Sequence, residues 1–199
     1  MTDRRGRACA ATALAVAACL TACTGSDGDN RSAAPLPVAY PRVFVYPDSF
    51  TTHIANGVGF DLNAGADVTV DGANVVARYP RYGATLYMAV NTDVEDLDGA
   101  LDGRRERVAL NLHGTPAEQA VRTAANGDSA VIVTALSTAQ TPVQFIVVNR
   151  QRRTLVNGAF FMTGWTETTP YDSIHPVIDA LSADARRLLS SLTYSPTPK

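Results

Sequence analysis

Two short motifs in this chain supply the residue types of acyl-transfer chemistry. Gly127-Asp128-Ser129 places a serine hydroxyl two residues after a glycine, and Asp172-Ser173-Ile174-His175 places an imidazole three residues after a carboxylate. A serine nucleophile, a histidine base and a carboxylate that orients the base are the parts of a hydrolase triad. Such parts act only when the fold brings them within hydrogen-bond reach, so the elements around them decide what they mean.

Those elements favour a structural role for both motifs. The pair resembles the parts of a GDSL-type esterase, whose nucleophile opens a parallel α/β domain. Here Ser129 lies late in the chain, only 46 positions before His175. Asn126-Gly127 is a two-residue hairpin signal. Asp172 to Pro176 has the composition of a helix start, with Asp172 or Ser173 as cap and Pro176 in the first turn. Turn and cap chemistry explain both motifs without a substrate.

Other chemistry-bearing residues are scattered. His53, His113 and His175 have no metal-ligand spacing, and no phosphate-binding glycine loop is present. No cofactor or metal is therefore expected. The basic turn Arg150-Gln151-Arg152-Arg153 suits a solvated hairpin tip or a contact with an acidic partner or headgroups. Trp165, between the last strand and the last helix, is either a binding anchor or a cap on the core edge.

Strand-type segments are expected over Arg42–Tyr46, Gly57–Leu62, Asp67–Val70, Asn74–Tyr79 and Tyr82–Val90. A helix follows, with Thr92 as N-cap and Glu95 completing a capping box. Its apolar positions are Val94, Leu97, Leu101, Val108 and Leu112. Gly99 and Gly103 each cost it about 1 kcal/mol relative to alanine, enough for a break or kink. Gln119–Ala124, Ala130–Leu136, Val143–Val148 and Leu155–Met162 form a run of strands joined by short loops, which predicts an antiparallel meander. In the last helix Ile174, Val177, Ile178, Leu181, Ala185, Leu188 and Leu192 share one stripe. The pattern predicts an α+β domain, a mainly antiparallel twisted sheet with two helices packed on it.

The N-terminus carries an address. Arg4, Arg5 and Arg7 precede an uncharged run of 13 residues from Ala8 to Leu20, the order of a secretory signal. The run is shorter than the roughly 20 residues a bilayer span needs. Leu20-Thr21-Ala22-Cys23 resembles the lipobox of bacterial lipoproteins. The resemblance implies cleavage after Ala22 and lipidation of Cys23. An ordinary secretory signal is the plainer alternative. On the lipoprotein reading residues 1–22 are a signal peptide, 23–41 a Gly/Ser/Pro-bearing tether and 42–195 a single domain. Cys23 is then the one cysteine of the mature chain, since Cys9 and Cys19 precede it. Thr24 rather than aspartate follows it, which points to the outer rather than the inner membrane.

Charge excludes one class of partner. Residues 1–22 hold three arginines and one aspartate, so fourteen basic and eighteen acidic residues remain beyond them. A net charge of −4 gives no electrostatic reason to bind nucleic acid. The expected partner surface is the membrane, through the N-terminal lipid alone.

Several phrases together resemble the gliding-motility lipoprotein D family. They are Tyr40-Pro41-Arg42, the run Tyr79-Pro80-Arg81-Tyr82-Gly83-Ala84-Thr85-Leu86-Tyr87, the helix end Leu110-Asn111-Leu112-His113, and Asn157-Gly158-Ala159-Phe160-Phe161. The most specific is Pro170-Tyr171-Asp172-Ser173-Ile174-His175-Pro176-Val177. The chain departs from the family in lacking an aromatic before its Tyr-Pro turn and an acidic-serine pair before its Gly-Ala strand. The resemblance implies a non-enzymatic envelope lipoprotein that assists gliding motility and type IX secretion, with other envelope motility or secretion proteins as partners. It marks Tyr79, Pro80, Tyr171, Asp172, Ser173 and Pro176 as signature positions. By analogy the fold resembles the PsbP type of α/β sandwich. The competing expectation is a small-ligand or glycan-binding envelope lipoprotein, and the third is the esterase.

Overall fold

The computed structural model describes residues 45–195 apart from 125 and 167. The signal, Cys23, the tether and Tyr40-Pro41-Arg42 lie outside the described residues.

The chain opens with a hairpin of β1 (Phe50–Ala55) and β2 (Val58–Asn63). Their turn is Asn56-Gly57, both at positive φ (46° and 76°), a two-residue connection whose twist matches the strands. Strand β1 is absent from the pattern-based expectation. Its sequence, Phe-Thr-Thr-His-Ile-Ala, is half exposed, but the Asn-Gly that follows was a signal for it. Val45 and Tyr46, expected in a strand, lie in none.

Two meanders build the main sheet. β3 (Asp67–Asp71), β4 (Asn74–Tyr79) and β5 (Ala84–Asn91) form the first, with a 3-10 turn at Pro80–Tyr82. Helix α1 (Leu97–Leu112) leads to the second: β6 (Ala117–Thr123), β7 (Asp128–Ala135), β8 (Val143–Asn149) and β9 (Thr154–Met162). Strand β9 pairs with β5, giving seven antiparallel strands in the order β3-β4-β5-β9-β8-β7-β6. Helix α2 (Tyr171–Ser190) and β10 (Thr193–Tyr194) complete the domain, with β10 joining β2 in a second, three-stranded sheet. The α+β expectation of an antiparallel sheet carrying two helices holds.

The sheet is loaded unequally. Its inner face, covered by α2 and the small sheet, holds the main core, including Tyr79, Leu86, Phe145, Phe160, Ile178 and Leu188. Strand β8 is buried along its whole length, so its Val-Gln-Phe-Ile-Val-Val-Asn sequence has no polar-apolar alternation. A Cβ on Gly158 would lie 2.4 Å from the Phe145 ring directly opposite, so the missing side chain lets that ring cross β9. On the outer face the core is small: Leu101 from α1 over Ile146, Val148 and Leu155.

The helix starts differ from expectation. In α1 the N-cap is Asp96, whose carboxylate accepts from Gly99 N–H at 2.9 Å. Asp93, at φ 55°, breaks the chain between Thr92 and the helix, and Thr92 Oγ1 instead accepts from Asn56 at 3.0 Å. Neither glycine breaks α1. In α2 the N-cap is Pro170 with no side-chain cap, and Asp172 sits in the first turn, where its charge suits the helix dipole. Pro176 is the sixth residue of the helix, not part of its first turn, so the Asp172 carbonyl lacks its helical donor.

Candidate functional site

The fold keeps the hydrolase parts apart. Along β7, Ala130 and Ile132 point into the main core, whereas Ser129, Val131 and Val133 face the α1 side. His175 lies on α2, across the sheet. Its Nδ1 is 3.5 Å from Asp179, and its ring packs 5.2 Å from that of Tyr171. The sheet therefore separates Ser129 from His175, and the predicted triad is not assembled.

Gly127-Asp128-Ser129 is structural. Gly127 N–H donates to Ala124 at 3.1 Å and Ala124 N–H to Asp128 at 2.8 Å. The loop is thus longer than the two residues expected, with Gly127 at φ 86°. The buried Asp128 carboxylate accepts from Asn149 at 2.8 Å, Asn126 at 2.7 Å and the Tyr194 hydroxyl at 2.5 Å. Burial, then the Asp128 carboxylate, push the Tyr194 phenol up. This cluster ties two hairpin turns to the C-terminal strand. No local pattern marks it, because Asn149 and Tyr194 lie 21 and 66 residues from Asp128.

The basic turn is engaged within the molecule. Arg150 bonds Asp98 at 2.8 Å, Arg153 Nε donates to the Val94 carbonyl at 2.9 Å, and Arg152 stacks over Tyr194. Two of these arginines hold the approach to α1. At its other end Asn111 donates to Gln144 at 2.8 Å and accepts from Thr141 at 3.3 Å. Helix α1 is thus pinned at both ends by polar ties, with one buried side chain, Leu101, between them.

This loose seating leaves a cleft. Between α1 and the outer face of β6, β7 and β8 lies a cavity of about 510 Å³. Val108 and Leu112 form the helix wall, and Val131, Val133, Ile146 and Val148 form the floor. Gln119, Ser129 and Arg105 are the polar residues of its lining. Val121 at the rim is 67% exposed. An apolar concavity of this size with a few polar groups is the usual form of a small-ligand site. A second cleft, about 410 Å³, opens on the other flank of α1 beside Gly99, Gly103 and Arg104.

The signature positions fall into two separate settings. Tyr79 is fully buried at the end of β4, edge-on to Tyr46 and stacked with Tyr82. Its hydroxyl has no hydrogen-bond partner among the described residues, and burial followed by the nearby Asp184 carboxylate push its phenol well up. Pro80 opens the 3-10 turn beside it. Asp184 is itself raised to about 6, chiefly by burial and further by Asp48, with Asn63 pulling the other way. Tyr171, Asp172, Ser173 and Pro176 form the first turns of α2, where the Tyr171 hydroxyl donates to Ala135 at 3.3 Å. Trp165 is half-buried against the main core and also lines a polar hollow of about 410 Å³ with Asn111, His113, Thr138 and Gln140. Among the described residues no group of His, Cys, Asp and Glu is placed to hold a metal ion, and no helix is long and apolar enough to cross a membrane. Neither a family model nor a curated protein matches the chain.

Proposed function

We propose that the chain is a lipid-anchored cell-envelope protein that works by binding, and that its binding surface is the cleft beside α1. The observation carrying this reading is the cleft itself, apolar, concave and open on a face whose helix buries one residue. The sheet standing between Ser129 and His175 favours binding over acyl transfer. The Cys23 lipobox supplies the anchor, and the resemblance to the gliding-motility lipoprotein D family supplies the setting, an accessory role in motility and type IX secretion at the outer membrane.

Two measurements test it. Metabolic labelling with a palmitate analogue should mark the chain and should not mark Cys23→Ser; equal labelling of both would remove the anchor. A solvatochromic apolar dye should brighten on the protein and lose that signal in Ala109→Trp, which fills the cleft from an exposed helix position. An unchanged signal would remove the cleft as the binding surface.

A second reading, glycan binding, rests on the Trp165 hollow with its amide and hydroxyl groups. Quenching of Trp165 fluorescence by oligosaccharides, absent in Asn111→Ala, would support it.

A further inference from the structure

The cleft beside α1 has the chemistry of one ligand class in particular. Its floor is a band of valine and isoleucine from two adjacent strands, β7 and β8, without a charged side chain. The helix wall from Leu101 to Leu112 rises about 16 Å, at 1.5 Å per residue. A wall of that length runs alongside an extended hydrocarbon chain of about a dozen carbons, at the usual helix rise. Arg105 is the charged residue on the lining, and it stands at the open mouth, its side chain 62% exposed.

The charge of Arg105 is available. Its ion-pair partner among the described residues is Asp102, one turn back on the same helix at 3.1 Å, with both side chains largely in water. Such an exposed pair holds its partners weakly. A ligand anion whose tail is already held in the trough can displace Asp102 at little cost, and guanidinium pairs with a carboxylate or phosphate through two parallel hydrogen bonds. Gln119 and Ser129 add neutral hydrogen-bonding groups to the lining.

We infer that the α1 cleft binds a single-chain anionic amphiphile, its hydrocarbon tail lying between α1 and strands β6 to β8 and its carboxylate or phosphate head on Arg105. This rests on the cleft being the binding surface. The apolar seating of α1 is slight, one buried leucine between two polar ties.

Isothermal titration of the full chain carrying Cys23→Ser, with dodecanoate, dodecyl phosphate and dodecanol, tests it. The two anionic chains should bind the protein at least tenfold more tightly than dodecanol. Arg105→Gln should remove that tenfold preference and leave dodecanol binding unchanged. Ala109→Trp should abolish all three, with circular dichroism unchanged; Val131→Trp gives the same test from the floor. Equal binding of the three chains with no effect of Arg105→Gln would overturn the anionic head group and leave an apolar cleft standing. Failure of any chain to bind, or normal binding by Ala109→Trp and Val131→Trp, would overturn the cleft as well. A dodecanoate-to-dodecyl phosphate ratio far from one would say which head group the site prefers.

Discussion

Helix α2 buries six of its twenty residues, and α1 buries one of its sixteen, yet both lie on the same seven-stranded sheet. Under α2 the apolar side chains recur at helical spacing and interlock with Phe145, Val147 and Phe160 from the sheet. Under α1 the sequence Leu-Asp-Gly-Ala-Leu-Asp-Gly-Arg-Arg-Glu-Arg has no such stripe, and polar ties at the ends do the holding. Apolar burial is the dominant source of stability. The α2 face therefore carries most of the stability and the α1 face little, a separation made by one sheet.

The largest test of that separation compares two leucines. Leu181→Ala on α2 removes a fully buried side chain from the main core and should cost about 2–5 kcal/mol of global stability. Leu101→Ala on α1 removes the one side chain buried there. Its effect should be local, with faster hydrogen exchange across residues 97–112 and a much smaller shift of the global denaturation midpoint. Equal losses of global stability from the two would show that α1 is part of the main cooperative unit.

The next effect concerns the sheet that divides the faces. Gly158→Ala places a methyl group against the Phe145 ring at a point where strand and ring already touch. Overpacking of this kind costs about 1–3 kcal/mol. Chemical denaturation should show the loss, and Phe145→Leu in the same chain should recover part of it.

The contrast between the faces also explains what could be read from the sequence. Where burial is strong the pattern is legible. The α2 stripe, strands β7 to β9 and strand β4 all stand where their apolar runs put them, because the side chains there are buried. Where burial is weak the pattern misleads. The Thr92 cap fails because a left-handed Asp93 intervenes, and only Asp96 can reach the free amides of α1. Strand β1 is missed because its exposed threonines give no alternation. The candidate site was the least legible part. Ser129 stands out by its hydroxyl, but its place in the cleft depends on which face of β7 it occupies, set by pairing with distant strands. Val131, Val133, Ile146 and Val148 lie in apolar strand runs, and the sequence alone does not say that they share the face beside α1.

On the α2 side the half-buried Asp184 lines a cavity of about 640 Å³, and it gives the comparison a pH axis. Its carboxyl is raised to about 6 in the folded protein, mainly by burial. A carboxyl raised on folding supports the native state most below its unfolded value, near pH 4, and that support is lost as pH rises through 6. Asp184→Asn should match the parent chain at pH 4 and exceed it at pH 8 by about 1–2 kcal/mol, allowing for screening of this partly exposed group. Thermal melts across that range check the sign. A variant less stable than the parent at pH 8 would mean that the ionised carboxylate is held by a partner, with Asn63 beside it the first to examine.

The smallest effect is the sharpest on α1 itself, because its two glycines predict opposite outcomes. A Cβ on Gly103 would meet nothing within 4 Å, so Gly103→Ala adds helix propensity worth about 1 kcal/mol and no contact. A Cβ on Gly99 would lie 2.2 Å from Asp96 Oδ2, so Gly99→Ala gains the same propensity but displaces the capping carboxylate, a loss of about 1 kcal/mol. Hydrogen exchange over residues 97–112 should slow roughly fivefold in Gly103→Ala and stay level or quicken in Gly99→Ala. Global melting should barely move in either, since neither touches the α2 face. If α1 opens as a unit to admit a tail, Gly103→Ala should also leave the helix intact when dodecanoate enters, and affinity should hold. A loss of affinity in Gly103→Ala would mean instead that α1 must partly unwind to take its ligand, and that its glycines serve that unwinding.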